Sequence, residues 1–189
     1  GALAWQRKHT RQVEALDRQN REQLVRMSVA TGVRAMDDGD KAGRDMSHFV
    51  PALTQISIVG EEDEIQEMLE KPMVKSIILM LTARDLEQFG YKHPMGPDWR
   101  GIMDFDPVKL SREKIIQFCN DIDTQAIRDI FPVGTPKQVA LKFKAMADAG
   151  MRVFKVMDYG GMAGAKFAAK SAQKVIEVED EVLRLVEGA

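Results

Sequence analysis

The sequence predicts an α/β fold that is helix-rich and incomplete by itself, and three observations point there. Two runs rich in β-branched residues, 52–59 and 151–157, read as strands. Long helical segments follow both, as in βαβ units. Two parallel strands do not make a stable sheet, which normally needs three or more, so the chain reads as a piece of a larger α/β protein.

Residues 1–40 form a basic helical segment. Positions 6–38 contain no proline and one glycine, and Val13, Leu16, Leu24 and Met27 recur at helical spacing. Arg7, Lys8, Arg11, Arg18, Arg21, Arg26 and Arg34 make this segment either a partner-binding face or the solvated side of a packing helix. Asp37-Asp38-Gly39-Asp40 supplies the turn chemistry to end it. Strand 52–59 closes at Gly60, and Glu61 to Glu64 open a helix at the end where the helix dipole favours acids. Pro72 interrupts that helix, and Met73 to Phe89 are expected as a second one that Gly90 stops.

Residues 90–110 defeat both periodicities: Gly90, Gly96, Gly101, Pro94 and Pro97 fall within its first twelve positions. Its aromatic content argues for an ordered, functional loop. Ser111 caps a helix over 112–120 and Asp123 another over 124–130. Thr135-Pro136-Lys137-Gln138 is a helix start, with a capping residue, proline at the first helical position and a glutamine to close the box. Val139, Phe143 and Met146 form its apolar stripe, and Gly150 ends it before strand 151–157. A terminal helix over 164–187 carries Phe167, Val175, Val178, Val182 and Val186 on one face.

Composition narrows the function. Lys+Arg 27 against Asp+Glu 29 gives a net charge of −2, which argues against binding nucleic acid through overall charge. One cysteine, Cys119, excludes an internal disulfide and suits a reducing, cytoplasmic compartment. It lies in an amphipathic helix and is expected to be buried. Three scattered histidines leave no zinc cluster, so no metal is expected. No apolar run is long enough to span a membrane. The opening Gly1-Ala2-Leu3-Ala4-Trp5 is not a targeting peptide and reads as a cut inside a longer protein or a tag scar.

Two places are candidates for chemistry. His93, in the aromatic loop between Lys92 and Pro94, is placed for acid/base work or a hydrogen bond to a ligand; the plainer reading is a histidine bonded to local backbone. Asp158, with Tyr159-Gly160-Gly161, follows the second strand, where ligands bind in parallel α/β folds; a strand-to-helix turn needs such residues for geometry alone. The acidic runs Glu61–Glu64 and Glu177–Glu181 read as solvated.

The order of elements, with His93-Pro94-Met95-Gly96 in the loop, Gly134-Thr135-Pro136 before a helix and Gly150 before the last strand, resembles the C-terminal half of a luciferase-like monooxygenase. Within that superfamily of flavin- and coenzyme F-420-dependent oxidoreductases, the likeness is greatest to the phthiodiolone dimycocerosate ketoreductase branch. Ala42-Gly43-Arg44-Asp45, Gly101, Asp104, Pro107, Arg152 and Val153 add to it. The resemblance implies that residues 41–189 are the C-terminal portion of a (β/α)8 TIM barrel, with 52–59 and 151–157 as its strands 7 and 8. A whole barrel takes about 250 residues.

It further implies hydride transfer between coenzyme F-420 or FMN, held mainly by the N-terminal half, and an organic substrate such as a ketone or a lipid-like molecule. Tyr91, Lys92, Pro94, Met95, Gly96 and Trp99 then belong to a mobile lid on the substrate side, with His93 as the catalytic group. Asp158 and Gly160 are cofactor-side candidates from their position at the strand end. The expected partners are the N-terminal half-barrel and further copies of the chain. The alternative is a non-catalytic α/β interaction or scaffold module presenting the basic segment.

Overall fold

The computed structural model describes residues 22, 23, 25, 35–50, 52–106 and 108–187. Most of the basic segment, with His9, lies outside them. The chain divides into two compact units, Gly1–Leu53 with Ala145–Phe154, and Thr54–Lys144 with Lys155–Ala189.

In the first unit, helix α1 (35–41) does not end at Asp37-Asp38-Gly39-Asp40. It runs through them because Gly39 leaves room for the Met46 side chain: a Cβ there would sit 2.3 Å from its sulfur. The stop comes at Gly43, at φ 71°. Gly43 N–H donates to Asp40 O and Arg44 N–H to Gly39 O, at 2.9 and 3.0 Å. That pairing satisfies carbonyls the helix end would otherwise orphan.

The second unit is α/β and helix-rich, around a small three-stranded parallel sheet of order β2-β1-β3. β1 (Ala52–Val59) matches the expected strand. β2 (Val133–Gly134) lies parallel to it, with Ile58 opposite Val133 and Val59 opposite Gly134. β3 is Val153–Asp158, on the other edge of β1, where Tyr159 N–H donates to Ser57 O at 2.7 Å. Two expectations are thereby corrected. The last strand starts and ends later than 151–157, with Asp158 as its final residue. A third strand lies between the two expected ones in the chain, so they are not successive strands.

Helix α2 (Glu62–Leu69) opens on a capping box between Glu61 and Glu64 and buries Ile65, Met68 and Leu69. Pro72 starts α3 (Pro72–Lys75). The expected helix 73–89 is broken: a 3-10 turn covers Ser76–Met80, and α4 (Ala83–Glu87) begins afresh. The reason is Thr82, which accepts from Asp85 N–H while the Asp85 carboxylate accepts from Thr82 N–H, a capping box that starts a new helix. α5 (Arg112–Asn120) and α6 (Thr124–Ile130) are capped by Ser111 and Asp123, as their sequences predict. α7 (Pro136–Asp148) carries the box between Thr135 and Gln138, and its stripe residues Val139, Phe143 and Met146 are all buried.

α8 (Ala165–Glu187) buries Phe167 and Val178 but leaves Val186 exposed, which corrects the single apolar face expected of it. Its Lys166, Lys170 and Lys174 pair with Glu67, Glu64 and Glu61 before and along α2. The numbering of the partners runs in opposite senses, so the two helices lie antiparallel along this ladder. Each exposed pair contributes no more than about 1 kcal/mol. The acidic run Glu61–Glu64, read as solvated, thus has a definite partner face.

The core of this unit gathers Ile58 of β1, α2, the 3-10 turn Ser76–Met80, α6, Val133, Tyr159 and Phe167. Cys119 is within it, and burial pushes its thiol above the ordinary range, with Lys75 opposing. That is a packing cysteine, as expected.

Candidate functional site

The loop after α4 is pinned down by its own candidate residues. The His93 ring lies against the Ser76–Met80 turn, and its Nε2–H donates to Ile78 O at 3.1 Å. A carbonyl only accepts, so Nε2 carries the proton. Nδ1 accepts from Met95 N–H at 3.1 Å, so it is bare. Trp99 stacks on His93 with ring centroids 5.8 Å apart, and its Nε1–H donates to the next carbonyl, Leu79 O, at 2.8 Å. Two side chains of the loop thus cap two consecutive carbonyls where the turn ends, groups that otherwise lack partners.

Tyr91 donates to Asp129 of α6 at 2.6 Å, and burial beside that carboxylate pushes its phenol above the ordinary range. Met95 is partly buried against the core, Pro94 and Gly96 are half-buried, and Lys92 is exposed.

Further on, Ala83 N–H donates to Trp99 O and Arg100 bridges to Thr82. Gly101 has φ 65°, and a Cβ there would lie 2.5 Å from Met80 O. We expect Gly101→Ala to lose about 2–3 kcal/mol, from the left-handed backbone and the forced retreat of Met80. A chemical denaturation midpoint unchanged from the parent would refute the close approach.

The histidine environment has a pH consequence. Burial pulls the imidazole below its ordinary value, and the bond to Ile78 O opposes this only in part. The folded chain then holds the His93 proton less readily than the unfolded chain, whose value is about 6.5. Its contribution to stability is present above that pH. It is lost as pH falls from about 6.5 through the lowered folded value. Melting temperature should therefore decline with acid across that window, and His93→Gln should flatten the decline. Equal slopes in the two proteins would rule His93 out as its source.

The second candidate lies at the C-terminal ends of β1 and β3. The Asp158 carboxylate accepts from Ser171 Oγ–H at 2.8 Å, from Gly160 N–H at 2.9 Å and from Val59 N–H. Burial nevertheless holds its acid above the usual carboxylate range, with those three bonds opposing. Asp158, Gly160 and Ser171 line a cavity of about 10 Å3 with Glu64, Lys170 and Lys174, room for about one water. The Gly160–Ala163 turn joins it to α8.

This site does not fit a cofactor phosphate. The space is too small, Asp158 and Glu64 repel an anion, and Lys170 already pairs with Glu64 at 2.6 Å. No step of chemistry is derived through it.

The structure therefore brings His93 together with Met95 and Trp99, and Asp158 with Gly160. Among the described residues no hydrogen bond or ring contact joins the two groups. Ser171, Asp129 and Lys170 were not apparent from sequence. A serine on α8 facing the strand-end aspartate has no local signal, because thirteen residues separate them. No helix among the described residues is long and apolar enough to cross a membrane, and they hold no cluster able to bind a metal.

Comparison with known proteins adds a distant relationship. Over 112 residues, 59% of this chain, the sequence is 28% identical to the phthiodiolone/phenolphthiodiolone dimycocerosates ketoreductases of Mycobacterium tuberculosis and Mycobacterium bovis. The ketoreductase of Mycobacterium kansasii is 25% identical over 118 residues. No protein-family model matches the chain, and no solved structure does. The matched stretch spans 29% of the length of the first two relatives and 32% of the third, so the chain is similar to about a third of a ketoreductase.

Proposed function

We propose that this chain is the C-terminal part of a (β/α)8 oxidoreductase of the luciferase-like class, which reduces a ketone on a lipid-like substrate. The similarity to mycobacterial ketoreductases over 112 residues is the observation that carries the reading. A parallel sheet whose C-terminal strand ends meet a helix-rich shell supports it. The hydride comes from reduced coenzyme F-420 or FMN, whose chemistry belongs to the cofactor and whose binding rests on the remainder of the barrel.

On this reading the loop of Tyr91 to Gly101 is a wall on the substrate side. Its pinning by His93 and Trp99 makes it stiffer than a swinging lid. His93 has both ring nitrogens engaged, so it acts as a positioning residue that holds Met95 and Trp99, and it does not donate the proton. Lys92, exposed beside it, is the group left free to face a developing alkoxide.

The test co-expresses the chain with a polypeptide carrying the N-terminal part of the barrel. Ketone-dependent oxidation of reduced F-420 and of reduced FMN is then followed. Turnover with one of them is expected. Lys92→Met should lower kcat, whereas His93→Gln should raise KM and loosen the loop. Absence of oxidation with either cofactor, in an assembled complex, would overturn the reading.

A further inference from the structure

We propose that the tip formed by Ile102, Met103 and Val108 is a docking knuckle that seats the protein on a lipid bilayer. The choice of a lipid partner rests on the ketoreductase reading, since those relatives are named for dimycocerosate substrates, which are long-chain lipids. The knuckle itself rests on geometry.

The turn Gly101–Met103 is held from every side. Asp104 N–H and Phe105 N–H both donate to Gly101 O, at 2.9 and 3.0 Å. The Asp104 carboxylate accepts from Arg100 N–H at 2.8 Å and from its guanidinium Nε at 2.9 Å. Gly101 is pressed against Met80 O, and Phe105 packs on the core. From this fixed base Ile102 and Met103 project at 67% and 77% exposure, and Val108 at 93%. The bonded backbone prevents the turn from folding its apolar side chains onto the protein.

Singly exposed apolar residues need no explanation. Three within seven positions, on a turn this well anchored, do. The size of the tip decides the partner. A stable protein interface takes roughly 800 Å2 from each side, far more than three side chains present. A small protruding apolar tip instead fits shallow insertion at the boundary of headgroups and acyl chains. The charges agree with an apolar mode. The exposed cations beside the tip, Arg100 and Lys109, are neutralised by Asp104 and Asp106. Binding should therefore not depend on anionic lipid.

The experiment uses the whole chain and vesicles of phosphatidylcholine, alone or mixed with phosphatidylglycerol, in a flotation assay. The chain should partition onto both alike and resist added salt. The triple variant Ile102→Ser, Met103→Ser, Val108→Ser, with an unchanged circular dichroism spectrum, should lose at least about tenfold in partitioning. A nitrobenzoxadiazole label on Met103→Cys should shift to the blue with vesicles, while the same label on Glu179→Cys of α8 should not; Cys119 is fully buried and should not compete for label.

Equal binding by the triple variant, equal shifts at both labels, no partitioning, or binding only to anionic vesicles and abolished by salt would each overturn the proposal. Vesicle binding without ketone-dependent cofactor oxidation in the co-expressed complex would leave the knuckle standing and remove the reductase reading. Turnover without vesicle binding would do the reverse.

Discussion

Asp158→Ala should destabilise the fold by about 3–5 kcal/mol, because it strands donors from three different elements. Val59 N–H ends β1, Gly160 N–H opens the turn after β3, and Ser171 Oγ–H lies on α8. A buried donor without a partner costs about 1–3 kcal/mol. The neighbouring cavity admits about one water, which can rescue one of the three. Asp158→Asn behaves differently. Its amide oxygen keeps accepting, and the substitution removes a charge that burial disfavours.

The sign of the pH effect follows from the raised acid. In the folded chain Asp158 holds its proton more readily than in the unfolded chain. Its contribution is fully present below the unfolded carboxylate value of about 3.9 and is lost as pH rises through the raised folded value. At neutral pH the ionised aspartate therefore weakens the fold relative to its neutral form. Asp158→Asn should be close to neutral in stability at pH 7, and urea denaturation of both variants checks this. If alanine and asparagine cost the same, the three-donor staple is not what holds this corner. A weakened cofactor affinity in Asp158→Asn, with stability intact, would return Asp158 to the cofactor side.

Phe143→Ala should cost a similar amount, about 3–5 kcal/mol, through loss of a fully buried ring and the cavity left behind. Val139, Ala140 and Met146 on the same helix are also buried, so the surroundings have little freedom to collapse into the space. Phe143→Leu should recover more than half of the loss by refilling most of the volume. A loss under about 1 kcal/mol for the alanine variant would mean that this face of α7 does not pack as a core.

The two substitutions differ in what a sequence can reveal. The Phe143 stripe recurs at helical spacing between an N-terminal box and a glycine, and burial follows from that period alone. Strand 52–59 was legible for the same kind of reason, since its β-branched residues sit between a turn and a glycine. The caps at Ser111, Asp123 and Thr135 are local too, because a cap and its target lie two or three residues apart. The capping box at Thr82 was equally local. Its Thr-x-x-Asp pattern was hidden by the apolar run before it, which looks like continuous helix.

What tertiary structure decided is where partners are backbone groups or distant in the chain. β2 has two residues, too few for any period, and is a strand only because β1 lies beside it. His93 and Trp99 bond the carbonyls of Ile78 and Leu79, and every residue has a carbonyl, so no side-chain type marks those partners. The aromatic loop therefore read as a lid, and the fold made it a clamp. The three lysines of α8 and the glutamates of α2 each carry a periodic signature, which established amphipathic helices with charged faces. That the two faces meet, a hundred residues apart in the chain, follows only from the packing of both helices on one core. Local periodicity and capping are encoded within a few residues, whereas partner choice depends on which surfaces the core brings together.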